Sequence, residues 1–337
     1  MGAGSYRGGM ASPFTSVVDT ILDKTLVPGY SAIGPALRRR WWADDPDPQA
    51  LVGRHVVVTG GSSGLGRAAA TGIARLGATV HLVGRNADRL RDSADLIRED
   101  VPDAQLVEEV CDISDLDSVR AYAAALKKDV GALHAIVHDA GVMPPERTET
   151  DQGHELALST HAIGPLLLTE LLRETLAAAE SPRVVIVSSG GMYSAPLDAS
   201  IGDDIEYRRG RYEGIRAYAR TKRIQVTMTE LMAKRYAADG IVVHSMHPGW
   251  ADTPGVTESM PRFAKVIGPI LRTAEQGADT IVWLTASPAA TRTSGRFWSD
   301  RRPRSTYFLP GKADDPDARR TVWTYVCRAA GIDHVPA

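Results

Sequence analysis

His55-Val-Val-Val-Thr-Gly-Gly-Ser-Ser-Gly-Leu-Gly-Arg67 carries the strongest structural signal in this chain. An apolar, β-branched run enters a glycine-rich turn, and the turn opens a helix-like segment over 67–76. Gly60 and its neighbour permit a tight turn, Gly64 lets the backbone approach a pyrophosphate, and Gly66 lets the helix pack closely on the strand. Amides at the helix start, around Ser62, Ser63 and Leu65, then face the phosphates. A purely structural turn recruits the same residue types. The strand before and the helix after are what make this loop a nucleotide site.

Outward from the loop, strand-like runs at 79–83, 106–110, 133–138, 183–188 and 241–246 alternate with helical stretches at 88–99, 115–128, 164–179 and 216–238. That alternation predicts an α/β fold: a single doubly wound Rossmann-type domain over 51–337, with a mostly parallel sheet covered on both faces. Ligands of such sheets bind beyond the carboxyl ends of the strands. The 337 residues suffice for one such core. With 43% hydrophobic and 24% charged residues the composition is that of an ordinary soluble protein, and a net charge of -2 gives no case for nucleic acid. Two distant cysteines make no disulfide framework. No stretch approaches the ~20 apolar residues of a spanning helix, so a cytoplasmic location is expected.

Residues 1–50 read as a helical N-terminal extension. Over 16–27, Val17, Val18, Ile21, Leu22 and Leu26 share one side of an amphipathic helix. Arg38-Arg39-Arg40-Trp41-Trp42 joins cations to indoles, a pairing suited to a bilayer interface. Residues 14–42 therefore read either as a segment packed on the main domain or as a peripheral membrane contact. Asp44-Asp45-Pro46-Asp47-Pro48 marks the boundary. The basic clusters Arg38 to Arg40 and Arg301 to Arg304 are, by default, solvated.

Of ten tyrosines only Tyr218 has lysine four residues later, in Tyr218-Ala-Arg-Thr-Lys222. On a helix both side chains share a face, and an ammonium near a phenol stabilises the phenolate and moves its pKa toward neutrality. Tyr207 and Tyr212 have arginine at the same offset, so a surface pair is the competing reading. Ser188 and Ser189 end a strand and offer a hydroxyl at the sheet's carboxyl edge, where it could help polarise a carbonyl oxygen.

Thr59-Gly60-xxx-Gly64-x-Gly66, Ser189, Tyr218-xxx-Lys222 and Pro248-Gly249-xxx-Thr253, in this order, resemble the short-chain dehydrogenase/reductase family over about residues 51–300. The resemblance implies an oxidoreductase with Tyr218 as acid/base, Lys222 tuning it and holding the nicotinamide ribose, and Ser189, rather than Ser188, on the substrate oxygen. It implies that Pro248, Gly249 and Thr253 receive the carboxamide end of the cofactor and that Asp112, followed by Ile113, contacts adenine. Two positions depart from the pattern. Asp139-Ala140-Gly141 stands where the family has Asn-Ala-Gly, and His161 stands where it has the fourth catalytic residue, Asn. His161 is expected as a titrating relay, or as a passive residue with reduced activity.

The second strand ends Leu-Val-Gly84-Arg85, with no acid for ribose hydroxyls and an arginine suited to a 2'-phosphate. NADP(H) is preferred, with NAD(H) retained as the alternative; Arg67 is a second phosphate candidate. No metal site is expected: His134 and His138 fall on a strand, about 13 Å apart, not on a helix. Loops at 190–217 and 254–273 should cover the reacting carbonyl. The second offers Met260, Phe263, Val266, Ile267, Ile270 and Leu271 to an apolar substrate, and the first offers Arg208, Arg209, Arg211 and Arg216 to an anionic group or to solvent. The expected function is hydride transfer between NADP(H) and a carbonyl or secondary alcohol of a fairly apolar molecule. A nucleotide-binding sensor on the same fold is the alternative. Homo-oligomerisation through two long helices is left open.

Overall fold

The computed structural model describes residues 18–20, 22–23, 25–252, 268–309 and 311–333. Eight strands form one sheet: β1 His55–Thr59, β2 Thr79–Gly84, β3 Gln105–Val110, β4 Leu133–His138, β5 Arg183–Val187, β6 Val242–Met246, β7 Arg296–Ser299 and β8 Arg302–Pro303. Their order is β3-β2-β1-β4-β5-β6-β7-β8, parallel throughout except for β8, which turns back on β7. Helices cover both faces, which is why β4, Leu-His-Ala-Ile-Val-His, is buried at all six positions. Side chains alternate across the sheet: Val57 joins Ile136, Leu166 and Met228 on one face, while Val56 and Val58 join Ile73, Leu82 and Ile281 on the other. The edge strand β3 carries Glu108 and Glu109, charges that discourage pairing with another chain. Between β1 and β4 the strand order reverses, and the crevice beyond their carboxyl ends is where such sheets take ligands.

The helices follow the expected alternation, with physical exceptions. The stretch expected over 164–179 is two helices, Gly164–Leu171 and Arg173–Ala177, because Leu172 leaves helical geometry at φ -97, ψ 8. A π-helical turn, Ser159–Ile163, precedes them. The sequence reading missed the helices Ala274–Ala286 and Pro316–Ala330 together with β7 and β8. The C-terminal helix Pro316–Ala330 has Asp315 as N-cap and Gly331 in the left-handed conformation beyond its end.

The N-terminal segment corrects two expectations. Helical residues 18–20 and 22–23 do not run on to Val27 as one helix: Thr25 is extended, and short helices follow at Leu26–Tyr30 and Ile33–Arg38. The basic clusters are not simply solvated. Arg38 is 2% exposed and pairs with Asp19 at 2.8 Å and with Asp300. Arg301 pairs with Asp279 at 2.6 Å, and Arg304 with Asp19 at 2.7 Å. The Arg301 guanidinium lies 4.9 Å from the Trp42 ring centroid, and the Trp41 and Trp42 indole N–H groups are buried. Arg38, Arg301 and Arg304 and the Trp42 ring thus have intramolecular partners, as the packed alternative requires, while Arg39 and Arg40 are exposed. No described helix is long and apolar enough to cross a membrane.

Candidate active site

A cleft of about 790 Å³ opens at the carboxyl edge of the sheet. Its floor begins with the glycine loop. Gly60 is left-handed (φ 74), and a β-carbon there would lie 2.9 Å from the Ala140 amide nitrogen. At Gly66 a β-carbon would overlap the Gly60 carbonyl and meet an Asp139 carboxylate oxygen, so only glycine lets the helix Gly64–Ala74 sit this close to β1 and β4. Thr59 ties the strands together across the switch point: its hydroxyl oxygen accepts from the Asp139 and Ala140 amides, both at 3.1 Å.

Gly60, Ser62, Ser63, Gly64 and Leu65 line the cleft, and Gly66 lies buried behind them. Arg85, Asp112, Ile113, Asp139, Ala140 and Gly141 line it farther along, and Pro248 and Gly249 lie on the opposite side. One Asp112 oxygen is committed to its own turn, accepting from the Ser114 amide at 2.8 Å and the Ser114 hydroxyl at 2.7 Å. Thr253 and the expected lid residues Met260, Phe263, Val266 and Ile267 lie outside the described residues. Arg67 is not on the cleft wall. Arg89, which the sequence reading missed, is there with Arg85, one turn into the helix that follows β2. Met143, Pro144, Ile215 and Trp250 supply apolar wall near Tyr218, also unforeseen because they come from three separate segments. Arg208, Arg209, Arg211 and Arg216 do not line it.

Ser189, Tyr218 and Lys222 are brought together. The helix Gly214–Arg235 carries Tyr218 and Lys222 on one face, and the lysine Nζ lies 5.4 Å from the tyrosine ring centroid. Ser188 is buried and donates to the Lys222 carbonyl at 2.9 Å, whereas the Ser189 hydroxyl oxygen accepts from the Gly191 amide at 3.2 Å and lines the cleft with Tyr218. Burial pushes the Tyr218 phenol up to about 12; the Ser189 hydroxyl opposes the rise and the Asp139 charge adds to it. The sequence reading had the ammonium lowering the phenol's pKa. Here Lys222 instead donates to the Val187 carbonyl at 2.8 Å. Burial pushes Lys222 down to about 8, with Asp139 pulling it back up. Asp139 itself is raised to about 7 by burial, against the Lys222 charge and the Gly66 amide.

His161 stands behind the wall. Its Nε2 accepts from the Val142 amide at 3.1 Å, and its Nδ1 is 2.8 Å from the Thr221 hydroxyl, which donates to the Tyr218 carbonyl. Burial and the Lys222 charge hold its pKa well below the usual histidine value. A ring held toward its neutral form with both nitrogens engaged agrees with the passive alternative better than with the titrating relay. His134 and His138 lie on β4, partnered with Arg54 and Thr169. Among the described residues no cluster of metal-ligating side chains occurs.

The strand order, the glycine loop at its switch point and the Ser–Tyr–Lys cluster beside it are those of a dinucleotide-dependent oxidoreductase acting on alcohol and carbonyl groups. The chain belongs to the short-chain dehydrogenase/reductase family: the short chain dehydrogenase model matches residues 54–197. It is 40% identical over 258 residues to dehydrogenase/reductase SDR family member 12 of Homo sapiens, covering 76% of this chain and 80% of that one. It is 37% identical over 284 residues to a Streptomyces (strain C5) chain assigned as a daunorubicin C-13 ketoreductase, covering 83% and 94%. Among solved structures, a Beutenbergia cavernae chain assigned as an NAD(P)-dependent gluconate 5-dehydrogenase, with NADP bound at low occupancy, matches with a TM-score of 0.60 at 26% identity, over 75% of this chain and 97% of that one.

Proposed function

We propose that the protein is an NADP(H)-dependent oxidoreductase that reduces a carbonyl, or oxidises the matching secondary alcohol, on a fairly apolar small molecule. The observation that carries this reading is the gathering of Ser189, Tyr218 and Lys222 on the wall of one cleft, with the Lys222 Nζ 5.4 Å from the Tyr218 ring centroid and the phenol held protonated at neutral pH. A protonated phenol is a proton donor ready for a developing alkoxide, and the serine hydroxyl is a second donor to the same oxygen. Lys222, buried with its Nζ 5.4 Å from the ring centroid, is a positive charge close to any phenolate formed there.

The cleft's shape fits a dinucleotide: the glycine loop leaves room where β-carbons would intrude, and the helix Gly64–Ala74 presents its N-terminal amides to that room. When bound, the nicotinamide supplies or accepts the hydride. Arg85 and Arg89 favour a 2'-phosphate over bare ribose hydroxyls, since neither is in an ion pair among the described residues and Gly84 brings no acid. Met143, Pro144, Ile215 and Trp250 favour an apolar substrate, and Arg208, Arg209, Arg211 and Arg216, which do not line the cleft, give no support to an anionic one.

The test is NADPH consumption with octanal, 2-nonanone and an aromatic quinone. Tyr218→Phe is expected to lose about 10² to 10⁴ of the rate while still binding NADPH. Undiminished turnover in Tyr218→Phe would overturn the assignment.

A further inference from the structure

Tyr30 belongs to the N-terminal segment, yet its contacts are with the cleft. Its carbonyl accepts from the Trp250 amide at 2.8 Å and from Arg272 Nε at 3.0 Å. Its ring lies 4.7 Å from the His247 ring and 5.8 Å from the Trp250 ring, the latter nearly stacked at 29°. A β-carbon on Gly190, the residue after Ser189, would come within 3.0 Å of the Tyr30 ring. Pro248, Gly249 and Trp250 line the cleft.

Arg272, 1% exposed, joins the same two regions through one guanidinium. It donates to the Gly29 carbonyl at 2.7 Å and to the Pro248 carbonyl at 3.1 Å, and it pairs with Asp300 at 2.6 Å. Gly249 is left-handed (φ 78), and a β-carbon there would overlap that guanidinium. The backbone of Arg272 completes the joint: its amide donates to the Trp250 carbonyl and its carbonyl accepts from the Asp252 amide, both at 2.8 Å. Asp300 holds Arg38 as well, and Arg38 holds Asp19. Burial alone would raise the Asp300 carboxyl, but the Arg272 and Arg38 charges outweigh it and keep it ionised. Charges buried this completely are tolerated only in a fixed arrangement, because any departure leaves one unpaired.

We infer that the segment Leu26–Arg38 is a strap that backs the cofactor-binding wall, with Tyr30 and Arg272 as positioning residues for Pro248 to Trp250. Neither residue touches the reacting atoms; each acts through the turn it holds. This rests on the reading that the cleft takes NADP(H), and the experiment separates the two.

Full-length wild type, Tyr30→Leu, Tyr30→Phe and Arg272→Lys are titrated with NADPH by fluorescence, each well below its own melting temperature, with native-state hydrogen exchange followed on the same samples. Tyr30→Leu keeps an apolar filling without the ring, and Arg272→Lys keeps a charge for Asp300 without the fork that reaches the Gly29, Tyr30, Ser31 and Pro248 carbonyls. Both are expected to weaken NADPH binding about tenfold, while Tyr30→Phe stays at the wild-type value. Exchange at Gly249 to Asp252 should accelerate in the two weakened variants, with Val56 to Thr59 still protected. Wild-type affinity in folded Tyr30→Leu and Arg272→Lys would overturn the strap, whereas a wild type that does not bind NADPH would overturn the cleft reading instead. Should both variants fail to fold, wild type alone decides: the amides of Ala32 and Trp250 are expected to open together, and independent opening overturns the inference.

Discussion

Asp139 and Lys222 share the floor of the cleft, and each sets the other's charge. The carboxylate helps keep Lys222 protonated against its burial. Carbonyl reduction is therefore expected to fall as pH rises above about 8, where Lys222 loses its proton. In Asp139→Asn the lysine loses its supporting charge, its pKa falls, and the descending limb of the kcat profile moves to lower pH. A limb that stays in place or moves upward would contradict this coupling. For stability the sign is opposite to that of an ordinary paired carboxylate. Asp139 is raised in the folded state, so the unfolded chain binds fewer protons between about pH 4 and pH 7, and stability declines across that window. Asp139→Asn should flatten the decline in urea titrations. At the other end of the cleft, Arg85→Asp is expected to shift cofactor preference from NADPH toward NADH by at least about tenfold, read as a ratio of kcat/KM values. The spacing of Tyr218 and Lys222 was legible from sequence because four residues on a helix bring two side chains to one face. The direction of the phenol's shift was not, because it is set first by the burial of the ring in the folded chain, and the ammonium expected to oppose it is engaged by the Val187 carbonyl.

Elements differ in how openly the sequence announces them. β1 with its loop and helix is legible because strand, turn and helix signals are contiguous. The Asp315-Pro316 start and the apolar spacing Val322, Trp323, Val326, Cys327 and Ala330 equally announce the C-terminal helix, although a reading confined to the alternating core passes over it. The break at Leu172 is different. Good helix formers flank it, so local propensity does not announce the interruption. The four-residue β7 is likewise too short to show a period. The C-terminal helix packs on the helices Gly164–Leu171 and Gly214–Arg235, placing Trp323, 3% exposed, in the core with Leu167 and Met232. Trp323→Ala should cost about 3 to 5 kcal/mol in chemical denaturation. A loss under ~1 kcal/mol would mean that this helix is only loosely docked.

For the molecule as a whole, that same packing bears on association. The apolar faces of the two helices are met by the chain's own C-terminal helix, so the surface they would offer a second copy is already occupied. A monomer is the expected state by light scattering, and a stable dimer would require another face. The buried ionic cluster was beyond sequence reading for a related reason. Arg38 within an arginine run looks solvated until Asp300, 262 positions later, is folded beside it. That separation also orders events in time. A ribosome adding roughly 5 to 20 residues per second delivers Asp300 well after Arg38, so the strap spends most of synthesis without its anchor. The wall of the cofactor cleft is therefore finished only when the last strands have emerged, and a nascent chain holding the complete glycine loop does not yet hold the site that the loop serves.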